Sequence, residues 1–287
     1  MSQPTVEAFF DPVTFTVSYL VYCIETKEAA IIDPVLDFDY AAGRTGTQSA
    51  DAVLARTKAL GLTLRYILET HAHADHITGA QYLHAATGGM VGIGTHIKKV
   101  QKTFARIFNI EDGMATDGSQ FDLLLEGGDT LVLGTFDITV MGTPGHTPAC
   151  VSYLIGDAAF VGDTLFMPDF GTARCDFPGG SAAVLYQSIQ RLLSLDADTR
   201  IFVGHDYGPG GRDFAWQSSV AQQKADNIHV GGGASEADFI AMREARDREL
   251  AMPKLILPAI QLNIRAGKLP IEEDNGTSYL KIPIDAL

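Results

Sequence analysis

Three histidines and an aspartate fall within six consecutive positions, in the segment Thr70-His71-Ala72-His73-Ala74-Asp75-His76. The segment follows an apolar-rich run, 64–69, that we interpret as a strand, and it precedes a run, 77–86, that is typical of the start of a helix. In an extended chain, alternate side chains lie on one side, and the turn into the helix can direct His76 to the same point. Imidazole is the commonest metal ligand at neutral pH, and carboxylate suits harder cations. The segment therefore predicts a metal site.

Three further junctions between a strand and a loop carry a glycine next to a potential metal ligand. These ligands are His146, Asp163 and His205. A glycine lets the backbone turn sharply and approach a metal closely. We therefore add these three residues to the candidate ligands. The remaining histidines lack such a context, and we interpret them as ordinary surface or helix residues: His84, His96 and His229.

The composition is that of a globular protein and argues against several classes of partner. The chain has 287 residues, of which 46% are hydrophobic and 20% charged, and it is long enough for one large domain or two. A net charge of −14 argues against nucleic acid and anionic membranes as partners. We expect no signal peptide and no membrane span. The three cysteines, Cys23, Cys150 and Cys175, read as free thiols, so we expect a reducing compartment, the cytoplasm.

The candidate ligands are compatible with two kinds of metal centre. In a dinuclear zinc centre, one ion binds His71, His73 and His146, the other binds Asp75, His76 and His205, and Asp163 bridges them. A hydroxide between two zinc ions would make a hydrolase that acts on a thioester, lactone or lactam. In a mononuclear centre, two histidines and one carboxylate bind a single Fe(II) that reacts with O₂, which zinc cannot do. The spacing of the residues does not separate these alternatives.

In chain order, the histidine motif, a Gly-His, a Gly-Asp-Thr and a second Gly-His resemble the metallo-β-lactamase superfamily. The resemblance implies an α/β fold, a four-layer αββα sandwich with the metal between loops at one edge of two sheets. The apolar pattern independently indicates mixed α and β layers. It predicts strands at 14–24, 29–32, 130–133, 136–141, 151–155 and 159–161, and helices at 50–60 and 182–193.

Beyond the last candidate ligand the chain continues with a different pattern. We divide it into a catalytic core, 1–207, and a C-terminal helical extension packed on the core, 208–287. The extension is expected to contain helices near 216–227 and 236–251, followed by an extended tail after Pro253 and Pro258. The charged residues of the second helix, Arg243, Arg246 and Arg248 with Glu244, Asp247 and Glu249, are interpreted as a solvated face.

Six segments more closely resemble the persulfide dioxygenases, and the similarity runs from about residue 6 to 270. The segments are Thr70 to Gly79, Gly162 to Phe166, Gly171 to Phe177, Leu185 to Ile189, His205-Asp206-Tyr207 and Pro258 to Gly267. The resemblance implies one Fe(II) per chain, bound by His71, His146 and Asp163. The other candidate ligands, His73, Asp75, His76 and His205, would surround it and position water and ligands. The implied reaction is the oxidation of glutathione persulfide by O₂ and water to sulfite and glutathione.

An anionic substrate needs local positive charge in an acidic protein. Arg174, in a loop expected to face the metal, is the first candidate, with an ion pair to Asp176 as the alternative. Arg265 is a second candidate for a substrate contact. Tyr207 is a candidate hydrogen-bond donor to water or substrate. Cys175 invites a role in persulfide exchange, but that requires a lowered thiol pKa.

Two other functions are compatible with the sequence. One is a dinuclear zinc hydrolase of glutathione thioesters, of glyoxalase II type, and the other is a non-catalytic member that binds a ligand or carries sulfur. The intact set of candidate ligands argues against the second. A homodimer is expected, since most soluble oligomers are symmetric. The sequence leaves open whether a sulfurtransferase partner supplies the substrate.

Overall fold

Two six-stranded β-sheets pack face to face at the centre of the molecule. The structure is a computed structural model that describes residues 3–285. Strands are numbered in chain order. The first sheet has the order β1 (Thr5–Asp11), β2 (Thr16–Tyr22), β3 (Glu28–Ile32), β6 (Thr63–Leu68), β8 (Met90–Gly94) and β9 (Leu123–Leu125). The second has the order β10 (Thr130–Leu133), β11 (Phe136–Gly142), β12 (Val151–Ile155), β13 (Ala158–Phe160), β14 (Arg200–Phe202) and β15 (Gln217–Ser219).

Helices cover the outer face of each sheet. The first sheet packs against α1 (Gln48–Ala59), α2 (Ala80–Thr87), α3 (Ile97–Ile107) and α7 (Ile256–Asn263). The second packs against α4 (Ala182–Leu193), α5 (Val220–Asp226) and α6 (Glu236–Asp247). A small third sheet joins β4 (Val35–Asp39) to β5 (Arg44–Gly46) and to β7 (Ile77–Thr78). Within residues 3–285, no helix has both the length and the apolar composition that crossing a membrane requires.

The apolar residues form three layers, which explains why the sheets stack. In β2 every residue is buried, because successive side chains point to opposite faces and both faces are covered. Leu20 packs toward the helices of the first sheet, whereas Tyr19 and Val21 pack against the second sheet. The third layer lies between the second sheet and α4, where Leu185 and Ile189 are fully buried. The predicted four-layer αββα fold is confirmed.

Two predictions for the C-terminal extension are wrong at the level of single elements. The segment expected to be a helix from residue 216 begins as β15, because 217–219 pair antiparallel with β14, and Ser219 then caps α5. The segment expected to be extended after Pro258 contains α7. Pro258 is the third residue of this helix, where a backbone N–H has no intrahelical partner, so the ring is tolerated.

The interface between the two sheets depends on Phe160. Its ring is 1% exposed and lies between Tyr19 of the first sheet and Phe202 of the second, with centroids 5.2 Å and 5.0 Å away. We expect Phe160→Ala to lower the free energy of unfolding by about 3–5 kcal/mol, because it leaves a cavity between rigid sheets. Chemical denaturation measures this. Val132→Ala is the control, because Val132 is 59% exposed on the edge strand β10 of the same sheet, and it should change stability little. Equal effects would contradict this account of the core.

Candidate metal centre

The predicted ligands meet at one edge of the sandwich. The histidine motif follows β6, His146 lies in the loop after β11, Asp163 follows β13 and His205 follows β14. The motif itself is a loop and not the extended chain that the alternation suggested. Asn263 of α7 holds this loop: its Nδ2 donates to the carbonyls of His73 and His76 at 2.8 Å. The C-terminal helix therefore fixes the course of the motif.

His71, His146 and Asp163 form one group of potential ligands. Their candidate ligand atoms all lie within 4.8 Å of one another. Asp163 Oδ2 is 3.9 Å from His71 Nε2 and 3.7 Å from His146 Nε2. All three side chains are buried. Two imidazoles and one carboxylate on a common face are a donor set suited to a redox-active divalent ion with open positions.

The second nitrogen of each imidazole in this group is already held by the protein. His146 Nδ1 donates to the Arg174 carbonyl oxygen at 2.7 Å. The Thr70 hydroxyl donates to Asp33 at 2.8 Å, so at 3.0 Å it accepts from His71 Nδ1. Both histidines thus have Nδ1 bound to the protein and Nε2 directed at the site. Such outer contacts fix the tautomer and orientation of metal-binding histidines.

His73, Asp75 and His76 form a second group, whose ligand atoms also lie within 4.8 Å of one another. His73 Nε2 lies 3.1 Å from an oxygen of Asp33 and 3.4 Å from an oxygen of Glu69, while Nδ1 is buried and has no hydrogen-bond partner in the part of the chain that the structure describes. His76 Nδ1 contacts a threonine hydroxyl, and its Nε2 is likewise buried without a partner. Unsatisfied buried nitrogens are costly, and a bound metal would satisfy them. The residues present therefore fit a metal.

His205 joins the two groups. Its Nδ1 lies 2.8 Å from Asp163 Oδ1, and its Nε2 lies 2.6 Å from Asp75 Oδ2. Both nitrogens therefore face carboxylates, and the imidazole is fully buried. Burial disfavours its charged form, but Asp75 and Asp163 raise the pKa of His205 well above its usual range. Protonated His205 compensates the buried carboxylate of Asp163 and the partly exposed carboxylate of Asp75.

The electrostatics keep the metal-facing groups in the protonation states that ligands need. Burial opposes ionisation of Asp163, yet His205 and the neighbouring histidines hold the pKa of Asp163 well below its usual range. Burial lowers the pKa of His71 strongly and that of His76 to about 4, so both imidazoles stay neutral. For His73 burial is outweighed by Asp33 and Glu69, which raise its pKa to about 10. A metal at His73 Nδ1 must therefore displace a proton.

A cleft of about 950 Å³ opens onto the first group. His71, His146, Asp163 and Asp75 line it, together with a set of aromatic side chains. The aromatic residues are Phe15, Phe38, Tyr40, Phe166, Phe170, Phe177 and Tyr207. Mostly apolar walls with a few convergent polar groups are typical of a site for a small molecule.

The residues predicted to contact substrate differ in whether they line the cleft and in whether their polar groups are already paired. Arg174 lines the cleft, but Nε and Nη2 donate to Asp176 at 2.6 Å and Nη1 donates to the Ala251 carbonyl at 2.7 Å. Tyr207 also lines it, with its ring parallel to that of His205 at 6.1 Å. Arg265 does not line the cleft; it lies in the turn after α7. Of these residues, Tyr207 lines the cleft and makes no side-chain hydrogen bond to residues 3–285, so its hydroxyl can meet a ligand.

Cys175 is placed near the site, with its thiol directed into the protein. The residue is 7% exposed and packs in the layer between the second sheet and its helices. Burial, and then the charge of Asp247, raise the pKa of the Cys175 thiol well above its ordinary value. A persulfide exchange needs a thiolate, so this environment disfavours such a role.

Two cations that the sequence analysis assigned to solvent or passed over lie at the cleft. Arg246 of α6 and Lys254 line it, and within residues 3–285 neither side chain has an ion pair. Arg243 was interpreted as solvated, but it is 2% exposed and pairs with Asp247 four residues later. Arg243 lies four residues after the buried Phe239, and residues four apart share one face of a helix. This spacing is the sequence signal that places Arg243 on the inner face of α6.

Comparisons with known proteins place the chain in a family. The metallo-beta-lactamase superfamily matches residues 11–205. A probable metallo-hydrolase of Burkholderia pseudomallei strain 1710b is 54% identical over 293 residues, covering 99% of this chain and 100% of the relative. A beta-lactamase hydrolase-like protein of Xylella fastidiosa strain Temecula1 is 53% identical over 100% of this chain, which spans 66% of that relative's length.

A second set of relatives carries a different name. The persulfide dioxygenase ETHE1 of Bos taurus is 35% identical over 261 residues, 90% of this chain and 87% of the relative. The crystal structure of ETHE1 from Myxococcus xanthus aligns with a TM-score of 0.74 and 32% identity, covering 92% of this chain and 100% of that one. With the four-layer fold and the histidine and aspartate groups at its edge, the chain belongs to the metallo-β-lactamase superfamily of metal-dependent enzymes.

Proposed function

We propose that the protein is an iron-dependent persulfide dioxygenase with one Fe(II) per chain. Glutathione persulfide, O₂ and water would give glutathione, sulfite and two protons. The observation that carries this proposal is the group His71, His146 and Asp163, which faces the cleft as two histidines and one carboxylate. The relatives named persulfide dioxygenase support the same reading.

Bound by this group, Fe(II) would supply the redox chemistry and the open positions at which O₂ and a persulfide can react. The side chains around the metal would orient the substrate and water. Asp75 and His205 would hold a water molecule and its proton beside the metal, since the Asp75 carboxylate lines the cleft and contacts His205 Nε2. Tyr207 would donate a hydrogen bond to substrate or water, and the aromatic residues would exclude bulk solvent from the reacting sulfur.

In the single-iron proposal, His73 and His76 surround the metal without binding it. Arg174 would act through its backbone carbonyl, which orients His146, while its guanidinium stays paired with Asp176. Among residues 3–285, Arg246 and Lys254 line the cleft without an ion pair and would bind the substrate carboxylates. A sulfurtransferase that supplies the persulfide and a homodimeric assembly stay predictions.

A dinuclear zinc hydrolase of a glutathione thioester is the second candidate. The observation that favours it is the group His73, Asp75 and His76, which offers a second set of ligand atoms within 4.8 Å of one another. The relative named as a probable metallo-hydrolase points the same way. Two metals would hold a hydroxide for attack on a carbonyl carbon, and no oxygen would be consumed.

Oxygen consumption separates the two candidates. We expect anaerobically purified, iron-loaded protein to consume O₂ when glutathione persulfide is added, and not when glutathione is added, because only the persulfide carries the oxidisable sulfur. An oxygen electrode measures uptake, and sulfite is quantified in the same sample. Zinc-loaded protein is the control. Hydrolysis of S-lactoylglutathione by the zinc form without oxygen uptake by the iron form would favour the hydrolase.

The ligand assignment predicts loss of metal from one variant. His71→Ala should lose most of its bound iron and its activity, because it removes one of three protein ligands. Metal analysis by mass spectrometry after gel filtration measures the iron, and circular dichroism checks the fold. His96→Ala, an exposed histidine outside the cleft, is the matched control and should keep full iron. Full iron in His71→Ala would refute the assignment.

The free cations of the cleft predict a change in substrate affinity. Arg246→Ala should raise KM for glutathione persulfide about fivefold, which corresponds to about 1 kcal/mol for one exposed ion pair. kcat should change little, since the contact is made equally before and during the reaction. Arg248→Ala, an exposed cation of the same segment that does not line the cleft, is the control. Equal KM values for the two variants would exclude a role for Arg246 in binding.

A further inference from the structure

We propose that Arg243 and Asp247 of α6 are positioning residues for His146, acting through one peptide bond of the loop that faces the cleft. The inference rests on the proposed role of His146 as a metal ligand. It does not depend on whether the reaction is an oxidation or a hydrolysis. It also assigns a role to the C-terminal extension, which the sequence left without one.

The loop 165–177 is held along its length by the extension. The contacts are Gln223 Nε2 to the Phe166 carbonyl, the Ile228 amide to the Pro168 carbonyl, Asn227 Nδ2 to the Gly171 carbonyl, the Thr172 amide to His229 Nδ1, and Arg174 Nη1 to the Ala251 carbonyl. Five separate attachments to a segment that has little regular structure of its own fix its backbone.

Arg243 and Asp247 make the attachments nearest to the metal site. Arg243 donates from Nε to one oxygen of Asp247 at 2.9 Å, with Nη2 2.8 Å from the same oxygen, and from Nη1 to the Thr172 carbonyl at 3.0 Å. The other oxygen of Asp247 accepts from the Cys175 amide at 2.8 Å. Arg243 is 2% exposed and Asp247 is 7% exposed. The pair thus binds the backbone of the loop on both sides of Arg174.

The peptide bond between Arg174 and Cys175 connects this ion pair to the metal ligand. Its N–H donates to Asp247, and its carbonyl accepts from His146 Nδ1 at 2.7 Å. The peptide group is planar, so fixing the N–H fixes the direction of the carbonyl. Hydrogen bonds at both ends also polarise each other. Asp247 therefore sets the orientation and the basicity of the His146 imidazole through the peptide group between Arg174 and Cys175.

A contribution to folding stability does not by itself explain why a buried ion pair is present at this position. Replacing a buried pair by apolar residues of similar volume is often neutral or stabilising, because desolvation of the charges offsets their attraction. Residues that hydrogen-bond to a metal ligand behave differently. Their loss typically lowers metal affinity by about 10- to 100-fold. The two roles therefore predict different behaviour of the same variant.

The test measures Co²⁺ affinity and thermal stability of the full chain. The double variant Arg243→Met/Asp247→Leu should keep or raise the melting temperature, raise the Kd for Co²⁺ at least about tenfold, and alter the Co²⁺ absorption spectrum. Asp247→Ala is the second variant, with the same expected rise in Kd at a lower melting temperature. The control is Asp157→Ala, which breaks a more exposed arginine–aspartate pair with Arg200 away from the loop and should leave the Kd for Co²⁺ unchanged.

Each outcome is decisive. A folded double or single variant with the Kd and spectrum of the wild type would overturn the inference and leave the pair a purely structural one. A raised Kd with an unaltered spectrum would also contradict it, since the ligand geometry would be unchanged. Failure of the wild type itself to bind Co²⁺ would instead count against the metal site on which the proposed function rests, and wild-type oxygen uptake tests that function separately.

Discussion

The charge of Asp163 is the constraint around which the site is arranged. A carboxylate buried at the edge of two sheets must be compensated, since an isolated ion in such a place is very unfavourable. Here it faces three imidazoles, those of His71, His146 and His205. Burial lowers the pKa of His71 strongly, and His205 bridges to Asp75. A divalent cation bound by Asp163, His71 and His146 would complete the balance of charge.

The residues that hold these imidazoles in place come from distant parts of the chain. Asp33, at the end of β3, acts through Thr70 on His71 and lies beside His73. The loop before α4 supplies the carbonyl that orients His146. The helix α7 supplies Asn263, which fixes the course of the histidine motif. Because outer contacts set the tautomer and direction of each ligand, the αββα sandwich serves as the frame that brings distant supports to one edge.

The C-terminal extension is part of this frame. Its helices pack on both outer layers, through Phe239 on one side and Ile260 on the other. Its polar residues hold the loop 165–177, which contributes Phe166, Phe170 and Arg174 to the cleft. The extension therefore contributes to the core, the metal ligands and the cleft at once. Removing it would expose apolar surface and release the loop, which is why we treat it as integral to the site.

Much of the fold was readable from the sequence because its signals are local. The strands 130–133 and 151–155 and the helix 182–193 have the predicted bounds, since alternation and helical periodicity reflect burial of a face. The motif spacing and the glycines beside each ligand marked the edge where the ligands meet. The helix α7, which begins at Ile256 and contains Pro258, and the strand β15 escaped prediction. In β15, pairing with β14 overrode the local signal.

The sequence by itself determined the fold family, the candidate ligand types and the junctions that carry them, because these depend on residue identity and short spacing. Only the tertiary structure decided which nitrogen of each histidine faces the site, that the Arg174 guanidinium is occupied, and that Arg243 is buried in an ion pair while Arg246 is exposed at the cleft. These properties depend on contacts between residues as far apart as His73 and Asn263. Side chains separated by such distances in the chain acquire partners only when the layers pack, so no local pattern records them.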